Sequence, residues 1–283
     1  MVPATSHQNG WQMTRPRSSP RAWRGMRITA IVELTQPTRY VTQLTMVVTQ
    51  LGLTYWLWRA LYAGVRESAG LDVTQATTYA LLGVLYVQLR FIDRWSNGDT
   101  MVQLMFEGTI AYWFIRPVSP RRWYMIRMCG DLAYGIGWAL VAYAACRALG
   151  AIAPPPSLAA AGATLLTLAL GLVITYYLQV IVDLMCFWST VNDNAVVAVQ
   201  FASTLLSGAF APLWFFPGWF QRANDFLPFQ STLNTPFSLY VGRLPVSALP
   251  GQLAVQVGWC AGLGLFTWWL WRRASARVTV MGG

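Results

Sequence analysis

Residues 158–188 read LAAAGATLLTLALGLVITYYLQVIVDLMCFW, thirty-one positions carrying one charge, Asp183. A helix that crosses a bilayer needs about 20 mostly apolar residues. This stretch exceeds that length and has no room for a soluble protein's polar face. The remainder of the chain repeats the pattern. Val41–Ala63, Val73–Phe91, Met125–Leu149, Ala195–Phe216 and Gly251–Trp271 are further apolar runs. Hydrophobic residues make up 55% of the 283 positions and charged residues 11%, against about 25% charged in an ordinary globular domain. Too little charge remains to cover a water-facing surface, so a soluble enzyme domain and a disordered chain are excluded.

The charges that do occur are informative. All 20 basic residues are Arg; there is no Lys, and His7 is the only His. A P-loop needs a Lys on the phosphates, so this chain carries no ordinary Walker A site. Lys Schiff-base chemistry and His-rich metal sites are absent from the sequence as well. Cys129, Cys146, Cys186 and Cys260 are widely spaced in apolar runs and read as small hydrophobes in helix packing. No catalytic residue or metal site is expected. Residues 1–39 are Arg- and Pro-rich and lack the short apolar core of a cleavable signal.

Arginines cluster before span one, between spans two and three, and after span six. Fifteen fall on one side and five on the other. The positive-inside rule then puts both termini in the cytoplasm, as an even number of spans also requires. The predicted fold is all-α: a polytopic membrane protein with six transmembrane helices near 41–63, 73–91, 125–149, 158–188, 195–216 and 251–271. Residues 1–19 read as a disordered cytoplasmic tail. Residues 20–39 mix Arg21, Arg24 and Arg27 with Trp23, Met26, Ile28 and Ile31, the pattern of an amphipathic helix lying on the inner leaflet. Residues 40–283 form the transmembrane domain.

Two connectors carry their own pattern. Between spans two and three, Met101, Leu104, Met105 and Ile110 recur at helical spacing among Gln103, Glu107 and Thr109. Asn97 or Asp99 can cap this cytoplasmic helix, and Pro117 and Pro120 end it. It either lies passively on the leaflet or works as a lever gripped by a partner. Glu107 would then offer the charge, Gly108 the close approach, and Arg116 a pairing with carboxylates or lipid phosphates. Between spans five and six, residues 212–250 hold six prolines among many aromatics. That composition forbids one continuous helix and suits broken re-entrant helices at the outer interface.

Candidate polar positions lie inside the spans. Gln43, Thr45, Thr49, Gln50, Thr54 and Trp58 on span one, and Gln200, Ser203, Thr204 and Ser207 on span five, could line the route of an amphiphile. They could equally be helix–helix glue. Asp183 is the acid set well inside an apolar run. It is open to proton coupling, cation binding, pairing across a dimer, or a structural role satisfied by Ser, Asn or Arg neighbours.

Several short words, in order, sharpen the reading. Trp58-Arg59-Ala60-Leu61-Tyr62 closes span one. Glu107-Gly108-Thr109-Ile110-Ala111 runs into Arg116-Pro117-Val118-Ser119-Pro120. Phe216-Pro217-Gly218-Trp219 precedes Leu227-Pro228-Phe229, and the chain ends Gly282-Gly283. Over about residues 25–283 the chain resembles the type-two ABC exporter permeases, bacterial six-span subunits paired with a separate ATPase. The resemblance implies a subunit of the cytoplasmic (inner) membrane that dimerises with itself or a related paralogue. It implies a cytoplasmic ABC ATPase partner that carries the ATP and Mg, and coupling through the helix holding Asn97, Gln103, Glu107, Gly108, Arg116 and Pro117. The implied cargo is a hydrophobic or amphipathic compound: a drug, natural product, peptide or lipid-like molecule. The substrate path would fall on Gln50, Thr54, Trp58, Gln200 and Thr204. Membrane lipids are expected partners and nucleic acid is not. A proton-coupled secondary transporter or an integral-membrane enzyme is the alternative. The first would want several buried acids and the second a cluster of His, Asp or Glu at one membrane face.

Overall fold

The computed structural model describes residues 37–64, 67–68, 70–90, 119–188 and 193–281. Six long or medium helices and a set of short ones account for nearly all of these. The helices are α1 (Pro37–Leu61), α2 (Val73–Arg90), α3 (Pro120–Ala148), α4 (Leu158–Leu184), α5 (Asp193–Leu206), α6 (Gly218–Asp225), α7 (Asn234–Tyr240) and α8 (Leu249–Met281). A two-residue hairpin, β1 (Glu67–Ser68) with β2 (Leu71–Asp72), joins α1 to α2. The expected N-terminal tail, the inner-leaflet helix up to residue 36 and the helix between spans two and three lie outside the described residues.

Three segments are long and apolar enough to cross a membrane: Pro120–Ala148, Leu158–Phe187 and Val246–Ser275. Val73–Val87 and Val197–Leu206 are shorter apolar helices. The molecule is thus an all-α, multi-pass membrane protein apart from one small hairpin. Several helix limits differ from those of the apolar runs, and α8 continues to Met281. Helix α1 opens at Pro37, so residues 37–39 belong to it and not to the inner-leaflet segment. Helix α3 starts at Pro120, with Pro at its first turn where a missing N–H costs nothing. Arg121 and Arg122 therefore ride on the helix of span three itself. Helix α5 stops at Leu206, well short of the predicted Phe216.

The early end of α5 has a local cause. Gly208 adopts φ +83°, a left-handed conformation that closes a helix and favours glycine. A Cβ there would also stand 2.7 Å from the Tyr79 hydroxyl. Asn224 of α6, itself buried, donates its side-chain N–H to the Leu206 carbonyl at 2.7 Å. That bond satisfies one of the carbonyls a helix end leaves open.

The segment between α5 and α8 is broken into short pieces: a 3-10 turn at Leu213–Phe215, then α6, α7 and a second 3-10 turn at Val246–Ala248. Helix α7 packs against α4 and α2 and is buried from Thr235 through Tyr240. The largest core cluster gathers Tyr79, Leu82 and Tyr86 of α2 with Leu233, Phe237 and Tyr240 around α7. A second cluster joins Tyr124 of α3, Val180 and Leu184 of α4, and Leu270, Trp271 and Ala274 of α8. Helix α8 lies along α4, and α1 along α2.

Candidate functional site

Polar contacts concentrate at the two ends of the bundle. At one end, α7 and the α3–α4 connection are tied to α2. Tyr79 Oη donates to Asn234 Oδ1 at 3.0 Å, and Gln75 Nε2 to the Val241 carbonyl at 3.0 Å. Tyr240 Oη donates to the Ala153 carbonyl at 2.9 Å, while Ala153 N donates to Thr78 Oγ1 at 3.0 Å. Tyr143 Oη and Tyr240 Oη are 2.7 Å apart. Such bonds supply the freed backbone and hydroxyl groups with partners, which an apolar surrounding would otherwise make costly. This end is a braced cap.

At the opposite end, the last turn of α4 meets the first turns of α3. Asp183, 7% exposed, accepts a hydrogen bond from Tyr124 Oη of α3 and another from Gln179 Nε2 at 3.0 Å. A carboxylate one residue from a helix C-terminus faces the negative end of the helix dipole. It persists there because donors surround it. A tyrosine from another helix and a glutamine one turn back stand against it. Tyr124 carries no sequence mark as a partner, because it sits 59 positions away. The helical spacing of Gln179 to Asp183 was the available signal. This strut joins span four to the helix that the segment 91–118 feeds.

The predicted path residues divide. On α1, Thr45, Thr49 and Gln50 are exposed and, with Met46, Leu53, Thr54 and Leu57, line one open, shallow face. Trp58 does not share that face. It is 8% exposed, packs with Tyr62, Ala76 and Ala80, and sets its ring 5.5 Å from Phe215. On α5, Gln200 and Thr204 are half-buried one turn apart, and Thr204 Oγ1 donates to the Gln200 carbonyl at 2.8 Å. Ser203 and Ser207 are buried. Asn97, Gln103, Glu107, Gly108, Arg116 and Pro117 lie outside the described residues.

Among the described residues, no group of three His, Cys, Asp or Glu could hold a metal ion. Gln256 is a polar residue that no sequence pattern singles out. Fully buried on α8, it donates from Nε2 to the Thr167 carbonyl of α4 at 2.9 Å and to the Ser231 carbonyl at 2.8 Å. One side chain thus staples α8, α4 and the broken segment.

The bundle is thus braced at both ends, with an exposed face of mixed hydroxyl, amide and apolar side chains on α1. No curated protein and no solved structure matches the chain. Residues 48–282 match the model of the ABC-2 family transporter proteins. That span covers most of the sequence and includes every described helix from the middle of α1 onward, so the chain belongs to the ABC-2 transporter family and is a permease of that type.

Proposed function

We propose that this chain is the membrane subunit of an ATP-driven exporter of a hydrophobic or amphipathic compound. In this reading it works as a dimer with itself or a paralogue, in a bacterial cytoplasmic membrane with both termini inside and six crossings. A separate cytoplasmic ATPase binds ATP and Mg and pushes on the segment holding Asn97, Gln103, Glu107, Gly108, Arg116 and Pro117. The chain itself is not an enzyme.

The observation that carries the reading is the face of α1. Thr45, Thr49 and Gln50 are exposed beside Met46 (67% exposed) and Leu53 (68%). Hydroxyl and amide side chains interleaved with apolar ones on an exposed helix face suit helix–helix contact or a polar passage in lipid. In this reading a second subunit or a passage covers that face, and α5 contributes the half-buried Gln200 and Thr204. Cargo moving between such faces meets hydroxyls, amides and aromatic rings. It meets no ring of charge such as an inorganic-ion pore would use.

The coupling part of the reading follows from mechanics. Residues 91–118 connect α2 to α3, so a force applied there reaches the first turns of α3. The Tyr124–Asp183 bond passes it to α4, and α4 carries α7 and α8 through their shared packing. Coexpression of the chain with its cognate ATPase, followed by gentle extraction and reconstitution, tests the proposal. ATP-dependent uptake of a fluorescent amphiphile into inside-out vesicles is the expected result. Uptake by the chain alone on a proton gradient, abolished by Asp183→Asn, would establish the carrier alternative instead.

A further inference from the structure

A groove of about 520 Å³ runs between the start of α3 and the end of α4, with Leu89 of α2 at its side. That volume is in the range of small-molecule sites, about 300–1,000 Å³. The groove does not belong to the α1 or α5 faces. Its lining is mostly apolar: Met128, Leu132 and Ile136 from α3, and Leu172 and Val173 from α4.

Three observations agree on what fits it. The first is length. From Met125 to Ile136 the helix rises about 16 Å, close to the hydrocarbon depth of one leaflet, about 15 Å. The second is charge. Met125, Met128, Leu132 and Ile136 form a stripe at helical spacing, and the same stripe extended back one turn reaches Arg121, with Arg122 beside it. Both arginines are exposed. A guanidinium pair at the mouth of an apolar, leaflet-deep groove is complementary to a phosphate with a hydrocarbon tail. The third is the wall. Its carboxylate, Asp131, follows Arg127 at the four-residue spacing of neighbouring turns. The acid in the wall thus has a cation one turn away on its own helix, and the exposed Arg121 and Arg122 stand at the mouth.

We propose that this groove is a binding site for an anionic phospholipid, one acyl chain lying along Met128, Leu132 and Ile136 and the phosphate held by Arg121 and Arg122. The lipid fills the gap between spans three and four beside Gln179, whose side chain both lines the groove and donates to Asp183. The site rests on α3 and α4 crossing the membrane and is independent of ATP-driven export.

The test uses the chain in nanodiscs containing diazirine-tagged phosphatidylglycerol or phosphatidylcholine with identical acyl chains, photolysed and mapped by peptide mass spectrometry. Adducts are expected within residues 125–136 and 169–179, with phosphatidylglycerol favoured about tenfold. Arg121→Gln/Arg122→Gln should bring the two lipids near parity. Ala169→Phe should remove the groove adducts while those on the exposed Leu265 and Phe266 face of α8 persist, which also reports that the bundle remains folded. Equal labelling by both lipids in the unmodified chain, or groove labelling no stronger than that of the α8 face, overturns the proposal. So does displacement of the tagged phosphatidylglycerol by a cationic amphiphile at lower concentration than by untagged phosphatidylglycerol, since Asp131 would then be the group that selects the ligand.

Discussion

Gly171 of α4 lies so close to Thr232 that a Cβ on the glycine would stand 2.7 Å from the Thr232 carbonyl oxygen and 3.0 Å from that of Ser231. The broken segment rests directly on the helix backbone at this point. Replacing a helical glycine by alanine ordinarily gains about 1 kcal/mol of helix propensity. Here the methyl meets carbonyl groups that cannot rotate away, and overpacking costs about 1–3 kcal/mol. Gly171→Ala should therefore lower the melting temperature in detergent, and Gly171→Val should prevent recovery of folded protein. Size-exclusion profiles and thermal melts read both. An unchanged melt for Gly171→Val would mean that Ser231 and Thr232 do not sit on α4.

The neighbouring staple gives a second expectation. Gln256→Leu keeps the volume and removes the two hydrogen bonds to the Thr167 and Ser231 carbonyls. Interhelical hydrogen bonds in membranes average about 0.6 kcal/mol and reach about 2. A loss of on the order of 1 kcal/mol is expected, measured as a shift in unfolding midpoint in mixed micelles. Gln256→Glu should cost more, since it removes the donor and brings a carboxyl group against the two carbonyls.

Tyr124 and Asp183 should behave as a unit. Tyr124→Phe strips one donor from a buried carboxylate and leaves it under-satisfied, a cost of about 1–3 kcal/mol. Asp183→Asn, made together with Tyr124→Phe, relieves part of that cost. A double-mutant cycle on stability should return a coupling of about 0.5–3 kcal/mol. Additive single effects would show that the bond contributes nothing.

Coupling through the segment before α3 is tested by Glu107→Ala and by Pro117→Ala. Each should leave membrane insertion unchanged and reduce the ATPase activity of the assembled complex about fivefold or more, within the usual range of coupling energies between sites. Hydrolysis at the unmodified rate in both variants would locate the contact with the ATPase elsewhere.

Dimerisation through α1 is read by cross-linking. Gln50→Cys or Thr54→Cys, in a chain with Cys129 replaced by serine because Cys129 is exposed, should form a disulfide-linked dimer on mild oxidation. Leu265→Cys on the exposed face of α8 should not. The reverse pattern would move the interface to span six.

Much of this protein was legible without a structure. Low charge, long apolar runs and the six prolines of residues 212–250 determined an all-α, multi-pass membrane protein with a broken segment before its last helix, because hydrocarbon admits only helices whose backbone groups pair internally. The order of short motifs led to the family. The end of α5 at Leu206 was hidden, because the stop comes from Gly208 and from a side chain 18 positions away, Asn224. The packing of Trp58 on the Phe215 ring was hidden too, since its place beside Gln50 and Thr54 in sequence says nothing of that ring. The partners of Asp183, the staple at Gln256 and the groove above Arg121 all join helices distant in the chain. Periodicity reports which residues share one helix face; which face then meets which neighbour is decided by packing, and that lives in the tertiary structure alone.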